Sequence, residues 1–361
     1  MAPPPGPYPV IARDGDGTTS AFDPEATLAY YREEGYLPPP RRPWTMGLPF
    51  HHHLIPGPCR RLAGQVLSLL DSRRGPPAQA FYPAWPKEPV VAALLLALGG
   101  GPLTPSGPEA EGSRDAATPP PAEFAFALSH DVDTARGQRL AGRVAEIEAA
   151  AGLVSTWFFV PRHYRLDRGL LAELRAGGHE IGCHGYDHSG SLPFEPEEKA
   201  RAKLESLRPF LEENGVTGFR SPGLLRTAGL FALLGRYFRY DSSVPDTEMY
   251  TGAGWRNGCC SVRPFARGRL LEIPITLPLD AALIHYRYGP RRILRTWLDK
   301  ADWLAAVGGL AVVDTHPEPQ YSGSRSMLRV YRELLDRLKE RGRPAGTLAE
   351  VAGVYGEEGS A

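Results

Sequence analysis

The sequence predicts an α/β protein built on a parallel sheet, and two observations lead there. From Ala122 onward, short runs rich in β-branched and aromatic residues alternate with amphipathic stretches at helical spacing, the signature of repeated strand–helix units. In addition, side chains capable of chemistry fall just after those runs, where the active site of either parallel architecture lies. Strands are expected at residues 123–129, 154–160, 179–183, 217–220, 239–242, 270–275 and 310–314. Helices are expected between them at 137–151, 168–176, 195–214, 227–237, 293–307 and 326–340. Seven strands fit either an incomplete (β/α) barrel or an open doubly wound sheet, and no solenoid repeat is visible.

The chain has 361 residues, enough for one large domain or two ordinary ones. Hydrophobic residues make up 42% and charged residues 23%, as in globular proteins. Lys plus Arg and Asp plus Glu both total 41, so no net basicity points to nucleic acid. The N-terminus, MAPPPGPYPVIARDGDG, lacks the basic and apolar regions of a secretory signal. The apolar run at 90–98 is too short to span a bilayer. A cytoplasmic location is therefore expected. Cys59, Cys183, Cys259 and Cys260 form no spaced disulfide framework, in keeping with that expectation.

Pro, Gly and Ser cluster at 2–9, 37–43, 75–89 and 101–121, and residues 99–121 read as a linker by composition. The expected organisation is an N-terminal Pro/Gly-rich accessory region and linker (1–121), a catalytic domain (122–355) and a short tail (356–361). Helical candidates in the first region are 24–34, 58–72 and 88–98. Its function is not legible.

Candidate site residues follow the strands in order. FALSHDVD runs an apolar strand into Asp131 and Asp133, which share a face if the period of two persists. Two carboxylates so close repel unless a cation or proton lies between them, although Asp133 could instead cap the next helix. GHEIGCHGYDHSG places His184 and His188 four apart in a loop. Imidazole is the commonest neutral ligand of zinc-like metals, and two His with one Asp leave an open coordination position. His179 reads as a packed or exposed residue, and Cys183 as a small buried apolar one facing away from His184. A metal role for His51–His53 with Cys59 is the weaker alternative. Arg220, in GFRSPG, can pair with a catalytic carboxylate and keep it ionised. In RYDSSVPD, Asp241 and Asp246 lie near the fifth strand end. In AVVDTHPEP, Asp314 and His316 share a face, and a carboxylate beside an imidazole suits a general acid.

Together these motifs resemble the polysaccharide deacetylase family (NodB homology, carbohydrate esterase family 4), over residues 123 to about 355. SHDVD is similar to the spaced DxD form of the family's first motif. On that match Asp131 takes the base position and Asp133 the metal position. HGYDH supplies His184 and His188, RSPG supplies Arg220 to brace the base, and DTHP supplies His316 as the acid. The family also has an Asp that supports the acid, and Asp241, Asp246 and Asp314 compete for that role. The resemblance implies a distorted (β/α) barrel of seven or eight strands and a divalent metal, zinc first, with cobalt or nickel as alternatives. It also implies hydrolytic removal of an N-acetyl group from a sugar or glycan precursor. Two other readings stand beside it: hydrolysis of a small cyclic amide or imide, as in relatives with similar motifs, and a catalytically inactive carbohydrate-binding protein. Trp157, Tyr186, Tyr250, Trp255, Tyr286 and Tyr288 are candidates to stack on sugar rings, or equally to pack in the core.

Overall fold

In the computed structural model the described residues are 125–247 and 258–358, together with the short segments 11–14, 17–20, 24–35, 40, 42 and 85–87. All seven expected strands form. They are β3 (Phe126–Val132), β4 (Thr156–Phe159), β5 (Glu180–Cys183), β6 (Gly218–Phe219), β7 (Tyr240–Asp241), β9 (Leu270–Glu272) and β10 (Ala311–Thr315). They follow an antiparallel hairpin, β1 (Ile11–Asp14) and β2 (Gly17–Ser20), and helix α1 (Pro24–Arg32). Two further strands join the sheet: β8 (Phe265–Arg267), antiparallel to β9, and β11 (Ala345–Gly346), parallel to β3.

Strand order settles the choice of architecture. The sheet runs β10-β3-β4-β5-β6-β7-β9-β8, so successive strands are added on one side and β10 returns beside β3. A doubly wound sheet would instead reverse direction at a switch point. Past β9 the chain turns toward β10, where Leu277 N–H donates to the Val312 carbonyl (3.0 Å) and Thr276 Oγ1 to the Leu310 carbonyl (2.6 Å). The result is a curled, distorted (β/α) barrel.

The intervening helices are α2 (Ala135–Ala151), α3 (Arg168–Ala176), α4 (Glu197–Glu205), α5 (Arg208–Asn214), α6 (Ala228–Leu234), α7 (Asp280–His285), α8 (Pro290–Ala306), α9 (Arg325–Glu340) and α10 (Leu348–Glu358). The single helix expected at 195–214 is broken in two. Pro209 lies in the first turn of α5 and has no N–H to continue the ladder of α4. The short α7 and the terminal α10 are additions to the expected set. Of the N-terminal candidates, 24–34 corresponds to α1, whereas 58–72 and 88–98 lie outside the described residues. No helix among the described residues is long and apolar enough to cross a membrane.

The period of two along the strands divides the interior into two compartments. Phe126, Leu128, Trp157, Phe159, Ile181, Cys183 and Phe219 point outward into the large core beneath the helices. Ala127, Phe158, Tyr240 and Val312 point inward, onto Leu348, Val351 and Ala352 of α10. The inward face of β3 continues from Ala127 to Ser129 and Asp131, so it changes from apolar to polar along one strand. α10 plugs the lower end of this space, and the polar residues occupy the upper end.

The N-terminal segment is tied to the barrel. Glu34, just past α1, is 2% exposed and grips Arg226 with both carboxylate oxygens, at 2.5 and 2.9 Å. It also accepts from Gly258 N–H at 3.1 Å.

Candidate active site

Asp131, Asp133, His184, His188, Arg220, Asp314 and His316 converge at the carboxyl ends of the parallel strands. Asp133 Oδ1 lies 2.9 Å from His188 Nε2 and 3.3 Å from His184 Nε2. Asp131 Oδ2 is 3.6 Å from the same His184 nitrogen. Val132 between the two carboxylates is fully buried on the other face, so the alternation expected for DVD holds. Burial opposes a charge on Asp133, yet His188 and His184 outweigh it and hold its carboxyl well below the usual range.

The loop after β5 sets the two imidazoles. His184 Nδ1 lies 3.0 Å from the Arg220 carbonyl, which orients the ring and turns Nε2 toward the carboxylates. Gly185 adopts φ +69, and a Cβ there would meet Pro222 Cδ at 2.5 Å, so only glycine lets the loop pass the RSPG turn. His188 takes a left-handed backbone (φ 59), an uncommon conformation for a residue with a side chain.

Donor atoms of Asp133, His184 and His188 lie within 4.8 Å of one another. The fit to a divalent metal can be judged from the side chains themselves. The set is two imidazoles and one carboxylate, leaving coordination open. His184 has its second nitrogen on a backbone carbonyl, the usual support of a metal-bound histidine. Asp133 Oδ1 is buried and receives no well-formed hydrogen bond among the described residues, which suits an oxygen meant for a cation. The residues fit the group.

Arg220 is fully buried and anchored on every side. Its Nε donates to the Ser242 carbonyl (2.8 Å) and its NH2 to Ser242 Oγ (2.9 Å), while its guanidinium stacks over the Phe158 ring (4.3 Å). NH1 reaches Asp131 Oδ1 at 3.1 Å, Ser129 Oγ at 2.9 Å and Asp314 Oδ1 at 2.9 Å. One guanidinium nitrogen thus lies against two carboxylates, which it holds in place. Burial raises the Asp314 carboxyl well above the usual range against the pull of Arg220, and the nearby Asp131 adds to the rise.

The carboxylate behind His316 is none of the three expected from sequence. Asp280, the first residue of α7, lies 2.7 Å from His316 Nδ1 and accepts from His316 N–H at 3.0 Å. The Oδ1 atom faces the ring nitrogen, and Oδ2, which accepts from His316 N–H, also accepts from Ser322 N–H (3.2 Å) and Ser322 Oγ (2.6 Å). Asp241 instead accepts from Ser243 N–H and Oγ at 2.9 and 2.8 Å. It pairs in register with Glu272 across β7 and β9. Asp246 is bound to the buried Lys300 at 2.6 Å. Asp314 faces Arg220 and bears on His316 only as a more distant charge. Burial opposes a charge on His316, but Asp280, then Asp133 and Asp314, raise its pKa well above the ordinary imidazole value. Its Nε2 faces the site, 4.0 Å from Asp133 Oδ2.

Glu318 also escaped the sequence reading. It is 1% exposed and accepts from Thr134 N–H (3.0 Å) and Thr134 Oγ1 (3.1 Å), joining the loop after β10 to the start of α2. A Cβ on Gly137 would lie 2.1 Å from its Oε1, so the glycine makes room for the carboxyl. Burial and the nearby Asp133 push its pKa up to about 8.

Several neighbours stay outside the site. His130 points to the helical layer, with Nε2 2.7 Å from Glu148 and Nδ1 2.8 Å from Thr315. His179 is packed, accepting from Ser155 N–H at 3.1 Å. Cys183 is a buried free thiol, as expected. Trp157, Tyr286 and Tyr288 are core residues, and Tyr186 is partly buried beneath Lys203. His51–His53, Cys59, Tyr250 and Trp255 lie outside the described residues.

Comparison with known proteins bears on the fold. A peptidoglycan deacetylase of Helicobacter pylori is 23% identical over 228 residues, covering 55% of this chain and 78% of that protein. The crystal structure of a putative polysaccharide deacetylase from Mycobacterium smegmatis superposes with a TM-score of 0.51 at 21% identity, covering 66% of this chain and 91% of that one. No family model matches the chain. The fold is that of the NodB-like polysaccharide deacetylases, as the motif resemblance implied.

Proposed function

We propose that this protein is a metal-dependent hydrolase that removes an N-acetyl group from a sugar or glycan. Asp133, His184 and His188 would hold the metal, with Asp131 as base, His316 as acid and Arg220 bracing the base. We take 122–355 as the catalytic unit and 1–121 as the accessory region. The observation that carries the reading is the placement of two distinct proton-transfer groups beside one open set of metal donors. Asp131 is fixed by Arg220 and is 3.6 Å from His184, while His316 is held by Asp280 with its Nε2 4.0 Å from Asp133 Oδ2.

When bound, a divalent metal, zinc first among the candidates, polarises a carbonyl and makes water more acidic. The chain's own residues account for the proton transfers. Arg220 donates to Asp131 and fixes its direction, and the carboxylate accepts a proton from the attacking water. His316, with Nδ1 committed to Asp280, keeps its proton on Nε2 toward the site. It protonates the departing nitrogen, because an amine leaves poorly as an anion. The two groups have opposite tasks, and their environments differ accordingly: a guanidinium beside the base, a carboxylate behind the acid.

The test is acetate release by the zinc-loaded full chain from N-acetylglucosamine oligomers, run beside small cyclic imides. Acetate together with new primary amine is expected. Ring opening of an imide without deacetylation would overturn the proposal in favour of the C–N hydrolase reading.

A further inference from the structure

We propose that a groove beside the catalytic site binds an anionic group, a phosphoryl or carboxyl substituent, carried on the acetylated saccharide. The inference rests on the deacetylase reading and narrows its substrate class. The groove, of about 990 Å³, lies between the loop after β4 and helices α3 and α5. Four arginines line it, Arg162, Arg165, Arg168 and Arg175, against two carboxylates, Asp167 and Glu213.

The carboxylates do not neutralise this charge. Asp167 caps α3, its Oδ1 accepting from Gly169 N–H (3.0 Å) and Leu170 N–H (3.2 Å). Glu213 approaches Arg168 only to 3.6 Å, with both side chains exposed, a contact that solvent largely screens. Arg162 and Arg175 each donate to a backbone carbonyl, of Ser206 and Glu213, which fixes their direction without cancelling their charge. Among the described residues no carboxylate lies within ion-pair distance of Arg162 or Arg165. The whole chain has equal numbers of acidic and basic residues, so the surplus is local. Guanidinium forks recognise planar carboxylates and tetrahedral phosphates with paired hydrogen bonds.

Continuity with the site comes from one loop. Between Arg162 and Arg165 lie His163, whose ring is 5.8 Å from that of His188, and Tyr164, whose hydroxyl donates to the Val132 carbonyl between Asp131 and Asp133. A saccharide with its N-acetyl group at the catalytic residues and its next units passing His163 enters the groove.

The test compares the full, zinc-loaded chain with its Arg165→Gln/Arg168→Gln variant, on three saccharides of equal length. One is a neutral N-acetylglucosamine oligomer, one carries carboxylates and one carries a phosphate. We expect kcat/KM for one or both anionic substrates to exceed that for the neutral one by about tenfold, through KM. The preference should vanish in the variant and at high salt, with kcat/KM for the neutral oligomer unchanged. The two anionic arms show which oxyanion is recognised. Turnover of the neutral substrate with no anionic preference, or a preference that survives in the variant, overturns the groove while leaving the deacetylase reading intact. If none of the three is turned over, that reading fails and calorimetry still tests the groove. N-acetylglucosamine 1-phosphate should bind at least tenfold more tightly than N-acetylglucosamine, and the variant should lose the difference; equal affinities overturn the proposal.

Discussion

Replacing Asp280 with Asn isolates the role of the carboxylate behind His316. Asn keeps the volume and can still accept from Ser322 and from His316 N–H, but it removes a negative charge 2.7 Å from the imidazole. Unit charges about 4 Å apart interact by roughly 4 kcal/mol at the effective dielectric of a protein. Paired carboxylates shift a partner's pKa by about 1–3 units in practice. The raised His316 pKa keeps the acid protonated to higher pH than an ordinary imidazole, so loss of its proton ends activity on the high-pH side. In Asp280→Asn that limb of kcat/KM should move to lower pH by about 1–2 units. The linked stability has the same sign. A raised folded-state pKa gives stability that is full below the unfolded value of about 6.5 and is lost as pH rises through the folded value. The advantage of wild type over the variant in chemical unfolding should therefore be largest under acidic conditions and shrink above neutrality. The assay is a pH profile of acetate release by the zinc-loaded proteins. A high-pH limb at the same pH in both would refute Asp280 as the partner that keeps His316 charged.

Two further outcomes follow from the same geometry. Asp131→Asn should bind metal as wild type does, because Asp133, His184 and His188 are untouched, and should lose about 10²–10⁴ in kcat; near-normal turnover would remove Asp131 from the base role. Glu34→Gln removes the buried carboxylate charge that pairs with the Arg226 guanidinium and should cost about 3–5 kcal/mol in urea unfolding. A double Glu34→Leu/Arg226→Met variant should recover much of that loss, and an unchanged midpoint in the single variant would show that the N-terminal segment does not dock through this pair.

Much of the framework was readable because strand and chemistry are adjacent in the chain. The apolar run 126–128 leads into Asp131 and Asp133, and the run 311–313 leads into Asp314 and His316, so the period of two aims the polar residues before any tertiary contact is known. Asp280 was hidden for the opposite reason. It starts a six-residue helix after a Pro-rich turn, 36 residues before the histidine it supports, and only the return of the chain from β9 to β10 brings them together. Asp241 and Asp246 sit in a suggestive place along the chain, yet Ser243 and Lys300 claim them. Ser129 and Ser242, which frame Arg220, carry no motif of their own. Glu318 did leave a faint signal, an acidic residue between two prolines directly after the acid histidine, but its partner Thr134 lies at the far end of the domain sequence. Pro209 marks in the sequence the point at which the helix expected at 195–214 divides.

The central claim is that Asp133, His184 and His188 form a metal centre, and elemental analysis of the untagged protein tests it most directly, wild type beside His184→Ala. The account predicts about one zinc, cobalt or nickel ion per chain in the wild type and a loss of that ion in a variant that still folds. No metal in the wild type, even after reloading with each ion, would contradict the account and favour an inactive carbohydrate-binding protein on the same fold.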